Sequence, residues 1–288
     1  MVVDKPAGWT SHQVVARCRR VLGTRKVGHA GTLDPMATGV LLVGVNRATR
    51  LLGHLMLTRK SYTATVRLGI GTVSDDAEGE ATAAPGVVGL TDAALEAALA
   101  PLRGVIQQVP TAVSAIKVNG VRSYAKVRAG EEVDLAARTV TVHRFAVLAR
   151  RDVGVGDVPC VDLDVAVECS SGTYVRALAR DLGAGLGSAG HLTALRRTAV
   201  GPFGLEEAVP LTEATTELPL IGLPDLVRRT FVTLVVTAEE EVAVRVGRPL
   251  PGRELPPGLV ALISPDEEFL ALYRSRDGLA VPEAVFVG

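Results

Sequence analysis

The sequence predicts an α+β protein in which a large first domain is followed by a small β-domain. Residues 60–69 and 160–169 alternate between apolar and polar side chains, a period typical of half-buried strands. Residues 10–23 carry apolar side chains at helical spacing, and a second helix is predicted at 173–186. A linker rich in Pro and Thr, at about residues 209–224, separates these elements from several short predicted strands.

Length and composition indicate a globular protein. The chain has 288 residues, of which 48% are hydrophobic and 22% charged, enough for one large domain and a small one. We expect no membrane segment, because no apolar run approaches the ~20 residues of a span. The N-terminus has no basic region followed by an apolar core, so we expect no secretory signal. Whether the native N-terminus is longer stays open. The three cysteines lack metal-ligand spacing, so we expect a reduced, cytoplasmic protein.

The net charge of zero argues mildly against RNA binding, because phosphate contacts make many RNA-binding proteins strongly basic. The charges are unevenly placed, however. Basic residues crowd positions 17–26 and 117–128, whereas acidic residues collect at 75–80 and 239–241. A basic face and a merely solvated surface are both compatible with these clusters.

The first elements of the chain have clear boundary signals. Residues 1–9 are predicted to form a short strand that ends in the turn Pro6-Ala7-Gly8. A helix then begins at Thr10 or Ser11, because Thr10 and Gln13 form a capping box, and Gly23 ends it. Next come a buried strand at 40–45, a strand at 60–69, an acidic surface loop at 71–89 and a helix at 91–103.

The middle of the chain predicts a hairpin and two strands. Asn119-Gly120 between apolar residues is the strongest short hairpin signal, and its basic neighbours indicate a projection rather than core. Strands are predicted at 133–147 and 160–169, followed by the helix at 173–186. After the linker, an all-β module is predicted from four short strands: 234–236, 241–246, 259–263 and 269–273.

The stretch GHAGTLDPMATGVLLVG, residues 28–44, places one carboxylate, Asp34, between a glycine-rich approach and Pro35. Glycines allow close approach to a ligand, and Pro35 biases Asp34 away from the helical region. We therefore expect Asp34 on a corner ahead of a buried strand, with His29 upstream. The alternative is structural, since Asp followed by Pro is a good helix start with Asp34 as N-cap.

This stretch resembles the catalytic motif of the TruB family, the synthases that make pseudouridine at uridine 55 of the tRNA T-loop. Five more blocks fall in the family's order across about residues 4–203: KPAGWTSH, KSYTATVRLG, PTAVSAIKVNG, SSGTYVRALARDLG and LRRTAVGPF. The resemblance implies a pseudouridine synthase fold in residues 1–231, with a mixed, mainly antiparallel central sheet flanked by helices. By position it also implies an RNA-gripping hairpin at about 110–135, a linker at about 209–231 and a small PUA-like RNA-binding domain at 232–288.

The implied reaction breaks the C–N glycosidic bond of a tRNA uridine and rejoins the base through carbon. Asp34 is then the nucleophile or general base, and the sequence does not distinguish attack on C1′ from removal of a C2′ proton. This chemistry requires no metal or redox cofactor, and the sequence has no zinc spacing and no phosphate or dinucleotide fingerprint. The expected partner is the T-arm of tRNA, read by shape and flipped loop bases. We expect a monomer.

Arg176 has an independent physical clue. It lies in the first turn of the predicted helix, where the dipole disfavours a cation by about 0.3–1 kcal/mol. Its neighbour four positions on is Arg180, and Asp181 is one position off the best spacing. A carboxylate from elsewhere explains the arginine better, and the matching arginine of the family pairs with the catalytic aspartate. We therefore predict an Arg176–Asp34 pair; a plain surface arginine is the alternative.

The resemblance assigns five further residues to the site. Tyr62 would stack on the target uracil and serve in proton transfer at C5. Tyr174 and Leu195 would help line the pocket, and His29 would position the flipped nucleotide. Lys5 matches a family lysine near the active site. The alternatives are core packing for a tyrosine and a surface charge for Lys5.

Contacts with tRNA are predicted for Lys117, Arg122 and Lys126 on the basic hairpin. One departure from the family is Val113, where many relatives have an aromatic residue; this puts a stacking contact near the pocket in doubt. Two other functions are alternatives. A non-catalytic tRNA-folding module would use the same surface, and a nucleoside hydrolase would normally need a second carboxylate, which the matched blocks lack.

Overall fold

The computed structural model describes residues 1–56, 58–111, 117–118, 121–122 and 135–287. Within these ranges it confirms the α+β class. The helices are α1 (Ser11–Leu22), α2 (Leu52–Leu55), α3 (Asp92–Leu99), α4 (Val175–Gly185), α5 (Leu223–Thr230) and α6 (Ala238–Arg245). In the part of the chain described, no helix combines the length and apolar character needed to cross a membrane.

Most strands belong to one large sheet. The strands are β1 (Val2–Lys5), β2 (Val27–Ala30), β3 (Thr38–Val45), β4 (Lys60–Leu68), β5 (Gly71–Thr72), β6 (Ala81–Ala83), β7 (Gly104–Gln108), β8 (Lys117–Val118), β9 (Val121–Arg122), β10 (Arg138–Val155), β11 (Val158–Cys169), β12 (Gly190–Val200), β13 (Phe203–Gly204), β14 (Val209–Pro210), β15 (Val232–Val235), β16 (Val260–Ile263), β17 (Phe269–Arg276) and β18 (Leu279–Val285). The large sheet has the order β14-β1-β3-β12-β4-β11-β10-β7, with β2 paired to β3 and β13 to β12. Its pairs are antiparallel except β1 with β14 and β3 with β12, which confirms the mixed, mainly antiparallel sheet.

Helix α1 forms as the sequence predicts. Thr10 accepts from the backbone N–H of Gln13, whose side chain accepts from the Thr10 backbone, so the capping box is complete. Gly23 ends the helix with φ of 62°, a conformation that costs glycine little. Val14 and Cys18 lie on its buried face, which packs on the sheet.

Strand β3, which follows the Asp34 loop, is buried on both faces. Leu41 and Val43 join the core that α1 and α4 share with the sheet. Val40 and Leu42 point the opposite way and belong to a second buried cluster, which also includes Phe269 of the C-terminal sheet. A strand with both faces covered reads as a continuous apolar run, as residues 40–43 do.

The C-terminal sheet has the order β15-β16-β17-β18. The strands predicted at 234–236, 259–263 and 269–273 are confirmed, whereas β18 was not predicted. The strand predicted at 241–246 is wrong, because this segment belongs to helix α6. Thr237 and Glu240 form a second capping box there, and the start signal outweighs the β-branched valines that follow. The small module is therefore a β-sheet with a helix.

Three other segments can be compared with the predictions. The loop at 71–89 contains the short β5-β6 pair, and Asp75 and Asp76 in its turn are buried, whereas Glu78 and Glu80 are exposed as predicted. Strand β10 extends to Val155, well past the predicted end. Strands β8 and β9 pair Lys117 with Arg122, as a hairpin would. Its turn, Val113 and Lys126 lie outside the described residues.

Candidate active site

Asp34 lies on the loop between β2 and β3, at the corner that the sequence predicts. Residues 35–37 form a turn that leads directly into β3, so the alternative in which Asp34 caps a helix is wrong. The carbonyl of the next residue, Pro35, accepts two hydrogen bonds, one from the Gly8 backbone N–H at 2.8 Å and one from Lys5 Nζ at 3.0 Å. The carboxylate is 36% exposed and is thus open to a ligand.

Arg176, in the first turn of α4, binds Asp34 through two nitrogens. Nε lies 3.0 Å from Oδ2, and Nη2 donates to Oδ1 at 3.2 Å. The arginine side chain is only 4% exposed. A two-point contact fixes the orientation of a carboxylate as well as neutralising it. The structure therefore brings the two predicted residues together, although their roles in the reaction stay predictions.

A third group, Asp76, holds the other side of Arg176. Its Oδ2 lies 3.4 Å from Nη1, which also donates to the Ser74 carbonyl at 2.7 Å. Asp76 is 4% exposed and accepts from Ser74 Oγ at 2.5 Å. The turn is tight, because a Cβ on Gly79 would lie 2.3 Å from Ser74 Oγ. Sequence reasoning missed this carboxylate and treated its segment as a surface loop.

A second buried carboxylate, Asp75, anchors the same turn. It has a positive φ of 56° and accepts from Thr111 Oγ1 at 2.9 Å and from Arg180 Nη1 at 3.2 Å. Burial raises the pKa of Asp75, and Arg180 opposes that shift. Arg176 and Arg180 are four positions apart on α4, so two successive arginines bind successive aspartates of one turn.

Beside this network is a cavity of about 270 Å³. Five predicted site residues line it: Asp34, Tyr62, Tyr174, Arg176 and Leu195. Tyr62 on β4 and Leu195 on β12 are both buried. Tyr174 precedes α4, and its backbone exchanges hydrogen bonds of 2.8 and 3.0 Å with the Gln108 side chain. Burial raises the pKa of the Tyr62 phenol. A cavity that combines aromatic and aliphatic side chains with polar and charged groups suits a planar base that carries carbonyl and N–H groups.

Two predicted site residues lie away from the cavity lining. Lys5 is completely buried, and its ammonium donates to the carbonyls of Pro6, Trp9 and Pro35. Burial lowers its pKa to about 8, against the opposing charge of Asp34. It therefore braces the Asp34 loop rather than presenting a charge to the cavity.

His29 on β2 meets His12 edge to face, with ring centroids 5.8 Å apart. Burial lowers the pKa of His29, and the positive charges of His12 and Arg197 act in the same direction. The imidazole is therefore a poor cation at neutral pH, which fits a positioning role better than acid catalysis.

Sequence reasoning missed two cations in the cavity lining, Lys60 and Arg197. Both lie within the blocks that carry the family resemblance, on strands β4 and β12. Charged residues in an alternating strand are usually read as solvent-facing, and here the neighbouring Arg196 does face outward, to Asp4 at 2.7 Å. Nothing in the alternation alone distinguishes the buried arginine from the exposed one.

Family comparison agrees with this geometry. The family model described as TruB family pseudouridylate synthase (N terminal domain) matches residues 19–175. A second, described as tRNA pseudouridylate synthase B C-terminal domain, matches residues 176–218. The chain belongs to the TruB family.

Proteins that are similar in sequence or structure match this chain over nearly its whole length. A tRNA pseudouridine synthase B of Cutibacterium acnes is 58% identical over 280 residues, which cover 96% of this chain and 93% of that protein. One from Nocardia farcinica is 57% identical and covers 100% of this chain and 92% of its own. A chain from the crystal structure of a Cbf5-Nop10-Gar1 complex superposes with a TM-score of 0.73 at 26% identity, covering 100% of this chain and 84% of that one. Another, from an H/ACA RNP bound to a substrate RNA containing 2′-deoxyuridine, gives 0.68 at 25% identity with the same coverage.

Proposed function

We propose that this TruB protein converts uridine 55 in the T-loop of tRNA to pseudouridine. The observation that carries the proposal is the Asp34 carboxylate, held by Arg176 at 3.0 and 3.2 Å at the mouth of a base-sized cavity. Family membership and relatives named tRNA pseudouridine synthase B support the reaction class. Its chemistry requires one carboxylate near the sugar and a pocket for the freed base.

In this mechanism Asp34 starts the reaction, either as a nucleophile at C1′ or as the base that removes the C2′ proton. The C1′–N1 bond breaks, its electron pair leaves with the uracil, and the uracil turns. C5 then bonds to C1′; this displaces the Asp34 carboxylate in the nucleophile route, whereas in the base route C2′ regains its proton. The C5 proton leaves and N1 gains a proton. Arg176 keeps the carboxylate oriented, and Asp76 keeps Arg176 in place. Orientation of this kind supplies much of an enzyme's rate enhancement.

The cavity walls would hold the base during that turn. Tyr62 stacks on the flipped uracil and serves in proton transfer at C5, whereas Tyr174 and Leu195 line the pocket. His29 positions the flipped nucleotide, and Lys5 braces the catalytic loop through the Pro35 carbonyl. No metal or redox cofactor takes part in these steps.

Binding of the T-arm would use surfaces on either side of the site. Residues 1–231 form the catalytic domain, in which the basic hairpin at about 110–135 grips the RNA through Lys117, Arg122 and Lys126. The segment at about 209–231 links it to a PUA-like domain at 232–288 that adds RNA contacts. The protein acts in the cytoplasm as a monomer.

Tritium release from tRNA transcripts carrying 5-³H-uridine tests the proposal. Wild-type protein should release one tritium per tRNA, and a transcript with cytidine at position 55 should release none. Asp34→Asn should abolish release while binding tRNA with nearly wild-type affinity, because Asn keeps the size of the side chain but not its charge. Full release from the cytidine-55 transcript would refute the T-loop assignment, and an active Asp34→Asn variant would refute the role of Asp34.

A further inference from the structure

Lys60 and Arg197 are buried cations that lie next to each other in the cavity lining, with 7% and 1% exposure. Lys60 Nζ donates to the carbonyls of Met56 at 2.8 Å and Thr58 at 3.1 Å. Arg197 donates to three backbone carbonyls, those of Val40 at 2.7 Å, Gly31 at 3.1 Å and Thr32 at 3.4 Å, and its side chain also hydrogen-bonds that of Tyr62. Among the described residues, neither has a carboxylate within ion-pair distance, whereas Arg176 and Arg180 each have two.

Burying a charge without a counter-charge is costly, so such groups are normally paired. The cost is visible at Lys60, where burial, followed by the charge of Arg197, lowers the ammonium pKa to about 8. Lys5 likewise has no carboxylate within ion-pair distance in the part of the chain that the structure describes, but all three of its donors are satisfied by carbonyls and it does not line the cavity. Lys60 keeps a third donor beyond its two carbonyl contacts.

The strand register places these cations beside the base-holding side chains. Lys60 and Tyr62 are two positions apart on β4, and Leu195 and Arg197 are two positions apart on β12, so each pair shares one face. Arg197 is the direct cross-strand partner of Tyr62. The two cationic side chains therefore lie beside the part of the cavity that Tyr62 and Leu195 line. A Cβ on Gly31 would lie 3.6 Å from both Lys60 Cε and Arg197 Nη1, so the Asp34 loop covers them closely.

We propose that Lys60 and Arg197 stabilise the negative charge that the uracil carries between cleavage and rejoining. When the C1′–N1 bond breaks, its electron pair leaves with the base and spreads over N1 and the two carbonyl oxygens. The charge is discharged when C5 bonds to C1′, the C5 proton leaves and N1 gains a proton. Preorganised charges aimed at a developing anion lower the barrier because they need no reorganisation. This inference rests on the proposed function, and it makes Lys60 a catalytic residue rather than a brace.

The test varies the leaving group. Two tRNA transcripts carry uridine or 5-fluorouridine at position 55; 5-fluorouracil is the more acidic base, so its anion needs less stabilisation. Single-turnover loss of the N-glycosidic nucleoside is followed by nuclease digestion and chromatography. Lys60→Met should lower the single-turnover rate on the uridine transcript by at least tenfold. The factor by which it lowers the rate on the 5-fluorouridine transcript should be several-fold smaller. Lys60→Gln, which can still donate to the two carbonyls, should show the same imbalance. Lys26→Met, at an exposed lysine, should leave the rate ratio at the wild-type value.

The comparison is internal, because both transcripts are tested on the same protein preparation and partial misfolding lowers both rates equally. Equal losses for the two bases would overturn the inference while leaving the proposed function intact. Weaker tRNA binding with an unchanged rate for bound tRNA would also overturn it, since that result would assign Lys60 to a backbone phosphate. A wild-type protein inactive on both transcripts would overturn the proposed function, and the inference with it.

Discussion

Arg176 and Asp34 are 142 positions apart in the chain, yet two arginine nitrogens meet the two oxygens of one carboxylate. The planar guanidinium matches the plane of the carboxylate, which a lysine cannot do. The contact joins the first turn of α4 to the loop ahead of β3. It thereby couples the helix to the group that we propose begins the reaction.

Arg176→Lys should slow the chemical step by about 10²-fold, because a small loss of orientation at a reacting group has effects of that size. Single-turnover conversion of bound tRNA measures the step directly, and filter binding should show an affinity close to wild type. Arg196→Lys is the matched control, since that arginine faces outward to Asp4. A rate within a factor of two of wild type would contradict the orienting role of Arg176.

Asp76→Asn should lower the same rate by about tenfold or more, because the support of Arg176 is loosened although no cavity-lining group changes. Asp162→Asn is the control. Asp162 is also buried and bound to an arginine, Arg67, but that pair does not line the cavity. The control should lower the melting temperature without slowing bound tRNA. If Asp76→Asn and Asp162→Asn lower the rate equally, the loss reflects reduced stability of the protein and not the loss of support for Arg176.

The rate advantage of wild type over Lys60→Gln should depend on pH. The pKa of Lys60 is lowered to about 8, so its charge, and any advantage it gives, is present below that pH and lost above it. Arg197, Tyr62 and Cys169 face Lys60; burial raises the pKa of Tyr62 above its ordinary value and brings that of Cys169 to about 11, so neither of these two groups changes charge near pH 8. Single-turnover rates of both proteins from pH 6 to 9.5 give the ratio. A ratio constant across this range would count against a charged Lys60.

Gly39→Ala should destabilise the protein by more than about 2 kcal/mol. Gly39 has φ of 100°, and a Cβ there would lie 2.2 Å from the Arg197 carbonyl oxygen, which is backbone and cannot turn away. Gly53→Ala, at an exposed position of helix α2 with open space around it, should instead stabilise by about 0.5–1 kcal/mol. Chemical denaturation of both variants checks the pair, and a stable Gly39→Ala protein would show that β3 and β12 can separate.

Local signals predicted much of the fold correctly. The capping box at Thr10, the stop at Gly23 and the alternation of β4 and β11 each depend on residues close together in the chain. The prediction failed at 241–246, where β-branched valines compete with a helix start at Thr237. In that case the capping signal was in the sequence and the apolar run was given too much weight.

The candidate site was only partly predictable. The first-turn position of Arg176 indicated a distant carboxylate, and the family motif supplied Asp34. The second partner, Asp76, could not be identified, because an acidic run with glycines reads as a surface loop until a buried arginine is found against it. Lys60 and Arg197 were missed for a related reason, since alternation shows which residues share a face but not whether that face is covered.

The two faces of strand β3 lie in different cores, and this position affects how the large sheet and the C-terminal sheet unfold. Its Leu41 side belongs to the core beneath α1 and α4, and its Val40 side belongs to a second core that also includes Phe269 of the C-terminal sheet. Removing residues 232–288 would therefore take away part of the core behind the strand that leads away from Asp34, so truncation should also disturb the Asp34 loop. Amide protons of β3 should exchange with deuterium only through openings that break its pairing with β1, β2 and β12. The strand behind Asp34 and the C-terminal sheet thus share one core.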